Sequence, residues 1–195
     1  RCSRIALRRS GTPSSPRHSP AVPPCGGGSG KGAAPAPGAS ALDLFLFSFY
    51  AMGMPFTDLA HLRKRQVKDG VLTYRRCKTG RQVRVKLEKC MLDILEKYKA
   101  EGTDYLFPIL YKVKDGRICP VSYPCALNRY NRSLKQLARQ AGIAVNLTSY
   151  VARHSWASIA YEQGVDLPVI SKALGHNNTQ TTLIYISEIN DERVA

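Results

Sequence analysis

The chain has 195 residues, with 29 Lys and Arg against 14 Asp and Glu, a formal charge of +15 at pH 7 and a pI of about 9.8. That length and a hydrophobic fraction of 44% fit one domain of ordinary size plus an appendage, and the charge favours a polyanionic partner, nucleic acid first. No apolar run reaches the roughly 20 residues of a membrane span and no apolar stretch follows the N-terminal arginines, so neither a membrane protein nor a secretory leader is expected.

Residues 1–40 are crowded with Gly, Pro, Ser, Ala and Arg and contain no acidic or aromatic residue. Arg1, Arg4, Arg8, Arg9, Arg17 and Lys31 give the segment six positive charges. Such a stretch cannot bury enough surface to offset its ordering entropy, so disorder is expected. It could serve as a flexible DNA-binding arm. The abrupt change at Ser40–Ala41 fits better with a frameshift or a misplaced start. Residues 41–195 are expected to form the folded domain.

In chain order, residues 42–52 read as a buried helix whose start is interrupted by Asp43. Thr57 can cap a short helix over 58–63. Residues 71–76 and 82–87 are rich in β-formers, and Lys78-Thr79-Gly80 between them predicts a hairpin. Residues 88–99 carry Met91, Leu92, Leu95 and Tyr98 at helical spacing. Asp115-Gly116 marks a second turn. Residues 126–141 follow the 3.6-residue period through Leu127, Tyr130, Leu134, Leu137 and Ala141, with Gly142 placed to end the helix. Helices are expected over 149–163, over 167–174 (closed by Gly175), and over 179–186. The fold class is mainly α with a small antiparallel β-sheet (α+β). Cys2, Cys25, Cys77, Cys90, Cys119 and Cys125 show no CxxC spacing and no nearby His partner, which argues against a zinc site and for reduced thiols.

Chemistry concentrates in 147–186. Arg153 sits on a predicted helix, His176 directly follows Gly175, and Tyr185 comes nine residues later. Each alone has an ordinary explanation: a surface ion pair, a helix-capping partner, a core tyrosine. Together, Arg153-His154-Ser155-Trp156-Ala157, Gly164-Val165-Asp166-Leu167, Leu174-Gly175-His176, Thr181-Thr182 and Tyr185 resemble the C-terminal signature of tyrosine recombinases, the phage-integrase family. The resemblance extends back to about Ala41 and implies that family's catalytic-domain fold. Phe49-Tyr50-Ala51-Met52-Gly53-Met54 and Leu147-Thr148-Ser149-Tyr150-Val151-Ala152-Arg153 are closest in wording to integrases of conjugative and mobilisable elements in Bacteroides-type bacteria.

The resemblance implies site-specific recombination or integration of double-stranded DNA through a 3′-phosphotyrosine. Tyr185 would attack phosphorus, Arg153 would hold the non-bridging oxygens, and His176 would donate to the same phosphate. Lys78, in the hairpin turn where the family carries its lysine, would protonate the leaving 5′-oxygen. Arg63, Lys64, Arg76, Arg81 and His154 are the expected DNA contacts. No metal or other cofactor is implied, because the covalent link conserves the phosphodiester energy and side chains neutralise the oxygens. The expected partners are DNA, a homotetramer on paired sites, and DNA-bending or directionality proteins. The expected location is the bacterial cytoplasm, at the nucleoid.

The pattern departs from the family at two positions. Pro55 stands where a Gly-hydrophobic-Arg motif would place an arginine, and Arg63 is a candidate substitute. Tyr150 stands where a His-x-x-Arg motif would place a histidine, and it could donate to phosphate in its place. Residues 1–40 cannot build the helical domain that clamps DNA from the opposite side, so the chain reads as the catalytic half. The alternatives are a truncated, catalytically impaired DNA-binding remnant and a type IB topoisomerase, whose local wording fits less well.

Overall fold

The computed structural model of the chain describes residues 37–99, 103–114, 117–183 and 186, all within one compact unit, Ala34–Ala195. The expectations for residues 1–36, for the Asp115-Gly116 turn and for Tyr185 lie outside the described residues.

Helix α1 (Pro37–Tyr50) begins four residues before the expected boundary at Ala41. Asp43 is buried within it. Its carboxylate accepts from Lys97 Nζ and Tyr98 Oη, both at 3.0 Å, which compensates its desolvation. The chain leaves α1 through two left-handed residues, Met52 (φ 59°) and Gly53 (φ 64°), and enters the five-residue α2 (Phe56–Ala60). Thr57 does not cap that helix. Pro55 is the N-cap, held extended at φ −65° by its ring, and the Thr57 hydroxyl instead lies 2.8 Å from Tyr123 Oη. The helix also stops short of 63, where Arg63 is extended and bridges to Tyr105.

A 3₁₀ turn (Lys64–Gln66) leads into β1 (Val67–Lys68), β2 (Val71–Arg75) and β3 (Gln82–Lys86), an antiparallel sheet in that order. The β2–β3 hairpin is the one expected, with Leu72 opposite Val85 and Tyr74 opposite Val83. Strand β1 was not expected. Asp69 (φ 50°) and Gly70 (φ 70°) form the two-residue left-handed turn that an Asp-Gly pair favours. Helix α3 (Lys89–Lys97) follows, then a hairpin of β4 (Tyr111–Lys114), which begins at the buried Tyr111, and β5 (Arg117–Pro120), which is exposed throughout. Helix α4 (Tyr123–Gln140) starts three residues before the period in the sequence, with Pro124 in its first turn. Helices α5 (Val151–Glu162) and α6 (Leu167–Leu174) complete the core, and 179–183 are again helical.

Helix α1 packs against α3, α4 and α5. Phe47 is its anchor, fully buried and edge-on to Phe107 at 4.9 Å. The inward faces of β2 and β3 supply Leu72, Tyr74, Val83 and Val85, alternating with outward residues as a half-buried sheet requires. Phe56 stacks on Tyr130 of α4 at 4.6 Å, which seats α2. A smaller apolar cluster, Ala157, Ala160, Ile170 and Leu174, joins α6 to α5. The ends of α1 and α6, the β2–β3 turn and the first turn of α5 are thereby brought together.

Candidate active site

The C-terminus of α6 organises this meeting point. The last carbonyls of a helix lack intrahelical partners and carry partial negative charge. Here they accept from the β2–β3 hairpin and from α5. Leu174 O receives Arg76 Nη1 at 2.6 Å and Arg153 Nη2 at 2.8 Å. Gly175 O receives Thr79 Oγ1 at 3.0 Å, and His176 O receives Arg81 Nη1 at 2.6 Å. Gly175 adopts a left-handed conformation (φ 69°), and a Cβ there would sit 2.9 Å from Arg76 Cγ.

Arg153 is 2% exposed. Its Nη1 donates to Gly53 O at 2.8 Å, and its Nη2 lies 2.9 Å from His176 Nε2. A guanidinium only donates, so His176 Nε2 is the acceptor. The His176 Nδ1 is 2.9 Å from the hydroxyl of Thr182, which is fully buried. Burial and then the charges of Arg153, Arg76 and Lys78 lower the His176 pKa to about 4, so the ring is neutral at pH 7. Gly53 is required by this packing, since a Cβ there would lie 2.8 Å from Arg153 Cα.

Arg76 is placed differently from the expectation. It is 6% exposed, with its guanidinium turned away from the surface. Its Nε lies 2.8 Å from Asp58 Oδ2, an ion pair whose geometry falls outside that of a hydrogen bond. Asp58 Oδ1 accepts the Cys77 amide at 2.8 Å. One carboxylate from α2 therefore fixes the two residues that precede Lys78. The Tyr74 phenol is buried against the same group, and burial and Asp58 push its pKa well above the usual range. The Cys77 thiol is pushed up to about 11 by burial and by Asp58.

Of the other expected residues, Lys78 is exposed in the hairpin turn, and its charge contributes to the lowered pKa of His176. Tyr150 is the N-cap of α5 and 51% exposed. Its ring lies 6.0 Å from that of His154, and its hydroxyl makes no hydrogen bond among the described residues. The structure does not bring it into the Arg153–His176 cluster. Arg63 lies over the Tyr105 ring at 3.9 Å and 3.7 Å from Asp104. Lys64 and His154 are half-buried, and Arg81 is exposed. Asp58, Gly53 and Thr182 were not assigned from sequence. Of these, Gly53 and Thr182 lay within quoted motifs. Among the described residues no three His, Cys, Asp or Glu side chains come together as metal ligands.

Two guanidiniums and a neutral imidazole, gathered around one helix terminus with a lysine-bearing turn beside them, make a site suited to a phosphate. The sequence profile of the phage integrase family matches residues 33–192. The chain belongs to this family. Among curated phage integrase relatives, the tyrosine recombinase XerA of Pyrococcus furiosus is 30% identical over 141 residues, 70% of this chain and 46% of that protein. Tyrosine recombinase XerD of Agrobacterium fabrum is 28% identical over 160 residues, 74% of this chain and 48% of that protein. The chain thus spans about half the length of the curated relatives it matches. Among solved structures, XerH bound to its difH substrate in a post-cleavage complex superposes with a TM-score of 0.56 at 20% identity, covering 78% of this chain and 44% of that one. The Tn1549 integrase in complex with transposon right-end DNA gives 0.55 at 13% identity, covering 80% and 59%. These likenesses establish the fold, mostly helical with small antiparallel sheets.

Proposed function

We propose that this integrase-family chain cleaves and rejoins double-stranded DNA through a 3′-phosphotyrosine on Tyr185. The observation that carries the reading is the buried Arg153–His176 pair at 2.9 Å, set at the positions where the signature places phosphate ligands. Arg153 exchanges its carbonyl partners for the non-bridging oxygens of the scissile phosphate. Tyr185 Oη bonds to phosphorus and the bond to the 5′-oxygen breaks. The phenolic proton passes to solvent, and His176 donates a hydrogen bond to the same phosphate once Arg153 has turned to it. Lys78 protonates the departing 5′-oxygen. Rejoining reverses these steps. Arg76 supplies the second buried guanidinium in place of the arginine replaced by Pro55. Arg81, Lys64 and His154 contact the DNA backbone, Arg63 acts through its stack on Tyr105, and Tyr150 plays a peripheral part.

The whole protein acts as a homotetramer on paired sites, with DNA-bending or directionality proteins, in the bacterial cytoplasm at the nucleoid. Its source is a mobile element of the Bacteroides type. The test is covalent trapping of the full chain on nicked suicide duplexes bearing the end sequences of the encoding element. An SDS-resistant adduct that disappears in Tyr185→Phe is expected. An adduct formed by Pro55→Arg alone would identify a fold whose phosphate clamp has been lost. DNA binding without an adduct in either form would favour the catalytically impaired remnant.

A further inference from the structure

We infer that the cleft between β3 and α6 is a second phosphate subsite, which holds the backbone phosphate next to the scissile one on the cleaved strand. The inference rests on the reading of His176 as a ligand of the scissile phosphate. The cleft has a volume of about 400 Å³, and His176 forms part of its wall. Arg81 reaches it from just before β3 and Lys172 from the last turn of α6, and none of its lining residues is acidic. Ser171, Gln82, Asn177 and Thr179 add neutral hydrogen-bond donors. A cationic wall studded with neutral donors suits an anionic oxygen ligand.

Three side chains here have donors that the fold does not use. Ser171 is 4% exposed, yet its hydroxyl makes no hydrogen bond among the described residues. Leaving a buried hydroxyl without a partner is costly, and the cleft is where a ligand oxygen can satisfy it. Lys172 makes no ion pair or hydrogen bond among the described residues. It is not needed to cap α6, because the carbonyls of Leu174, Gly175 and His176 already accept from Arg76, Arg153, Thr79 and Arg81. Arg81 spends only Nη1 on His176 O, which leaves Nε and Nη2 for a ligand. The cleft exceeds the size of one phosphate and has room for the adjoining sugar. A phosphate bound at His176 brings its neighbours on the same strand closest, since the opposite backbone lies across a groove. An occupant would touch the strand that follows the Lys78 turn, α6, and Thr179 ahead of Tyr185.

The experiment measures duplex binding by the full chain in a Tyr185→Phe background, so that no strand is cut. The probe is an intact duplex with the sequence of the trapping substrate. A single uncharged methylphosphonate replaces, in turn, each of the two phosphates flanking the scissile one on the cleaved strand. One replacement should weaken binding about 5–20-fold and make the log–log salt dependence shallower by about 0.9. Lys172→Gln should weaken binding to the unmodified duplex about 3–10-fold with a similar loss of slope. Ser171→Ala should weaken it about threefold with the slope unchanged, since a hydroxyl displaces no counterion. The sensitive replacement should then cost Lys172→Gln about threefold or less, because the ionic contact is already gone, whereas Lys135→Gln, on the exposed face of α4, should keep the full sensitivity. No effect of either replacement, equal sensitivity of Lys172→Gln and the parent, or a parent that binds no duplex would overturn the proposal. The replacements alone test it should a variant fail to fold. Coupling found without any covalent adduct in the trapping assay would sink the cleavage reading and leave the subsite, and an adduct without coupling would do the reverse.

Discussion

Replacing Asp58 by Asn tests how the hairpin carrying Lys78 is held. Asp58 and Arg76 are 2% and 7% exposed at their side chains, so the charge on each is compensated almost entirely by the other and by nearby dipoles. Asn keeps an oxygen for the Cys77 amide and removes only the charge. Arg76 keeps its bond to Leu174 O but becomes a buried cation without a counter-ion. Removing one partner of a buried pair costs ~3–5 kcal/mol, and the retained hydrogen bonds place the expected loss near ~3 kcal/mol. For a unit of this size that corresponds to a fall in melting midpoint of about 6–12 °C. The assay is urea and thermal unfolding followed by far-UV circular dichroism, in a cycle of Asp58→Asn, Arg76→Met and the double variant. Removing both charges should recover much of the loss, with a coupling energy of roughly 2 kcal/mol. An Asp58→Asn loss below ~1 kcal/mol with coupling under ~0.5 kcal/mol would refute the argument that this pair secures the turn.

Two further outcomes follow from the same geometry. Gly53→Ala should cost about 2–4 kcal/mol by thermal unfolding, from its left-handed backbone and a Cβ 2.8 Å from Arg153 Cα, whereas Gly80→Ala, with φ +66° but open space around it, should cost only ~1 kcal/mol. His176 has its pKa lowered from 6.5 to about 4, so between those values the unfolded chain binds the proton and the folded chain does not. Stability from this group is therefore complete above pH 6.5 and declines as pH falls towards 4, by up to about 3 kcal/mol. Denaturation curves at pH 7 and pH 4.5 should show a steeper loss for wild type than for His176→Gln, and equal slopes would contradict the lowered value.

Much of the architecture was legible because it is locally encoded. Helix α6 spans the expected 167–174, since a proline near its start, an apolar face and Gly175 at its end mark both termini. The β2–β3 hairpin carries its own alternation and turn. Strand β1 had a signal, Asp69-Gly70, but at two residues it offers no period to detect. The α2 cap was misread because Thr57 is a good capping residue, yet Pro55 already fixes the backbone that a cap must adopt. The site was legible only as a motif. Arg153 and His176 stand together as expected, but nothing local indicates that Arg76 turns inward. Its partner Asp58 lies 18 positions earlier and meets it only when α2 packs beside the hairpin. Arg76 therefore reads as one more surface cation in a basic chain. Thr182 is equally silent, because nothing in the local sequence marks which buried side chain its hydroxyl will meet.

The hydrogen bonds of the site also have a topological consequence. Arg153 to Gly53, Arg76 to Leu174, Thr79 to Gly175 and Arg81 to His176 join residues 100, 98, 96 and 95 positions apart. Each closes a loop of about half the chain, and the entropy of such closure must be overcome before the contact returns any energy. Local helices and hairpins can form early, whereas this seam forms only when the two halves of the domain have docked. Reactive geometry and global folding are then a single event. A variant that loosens the seam should lose cooperativity and activity together, and amide exchange at 174–176 should proceed only through global unfolding.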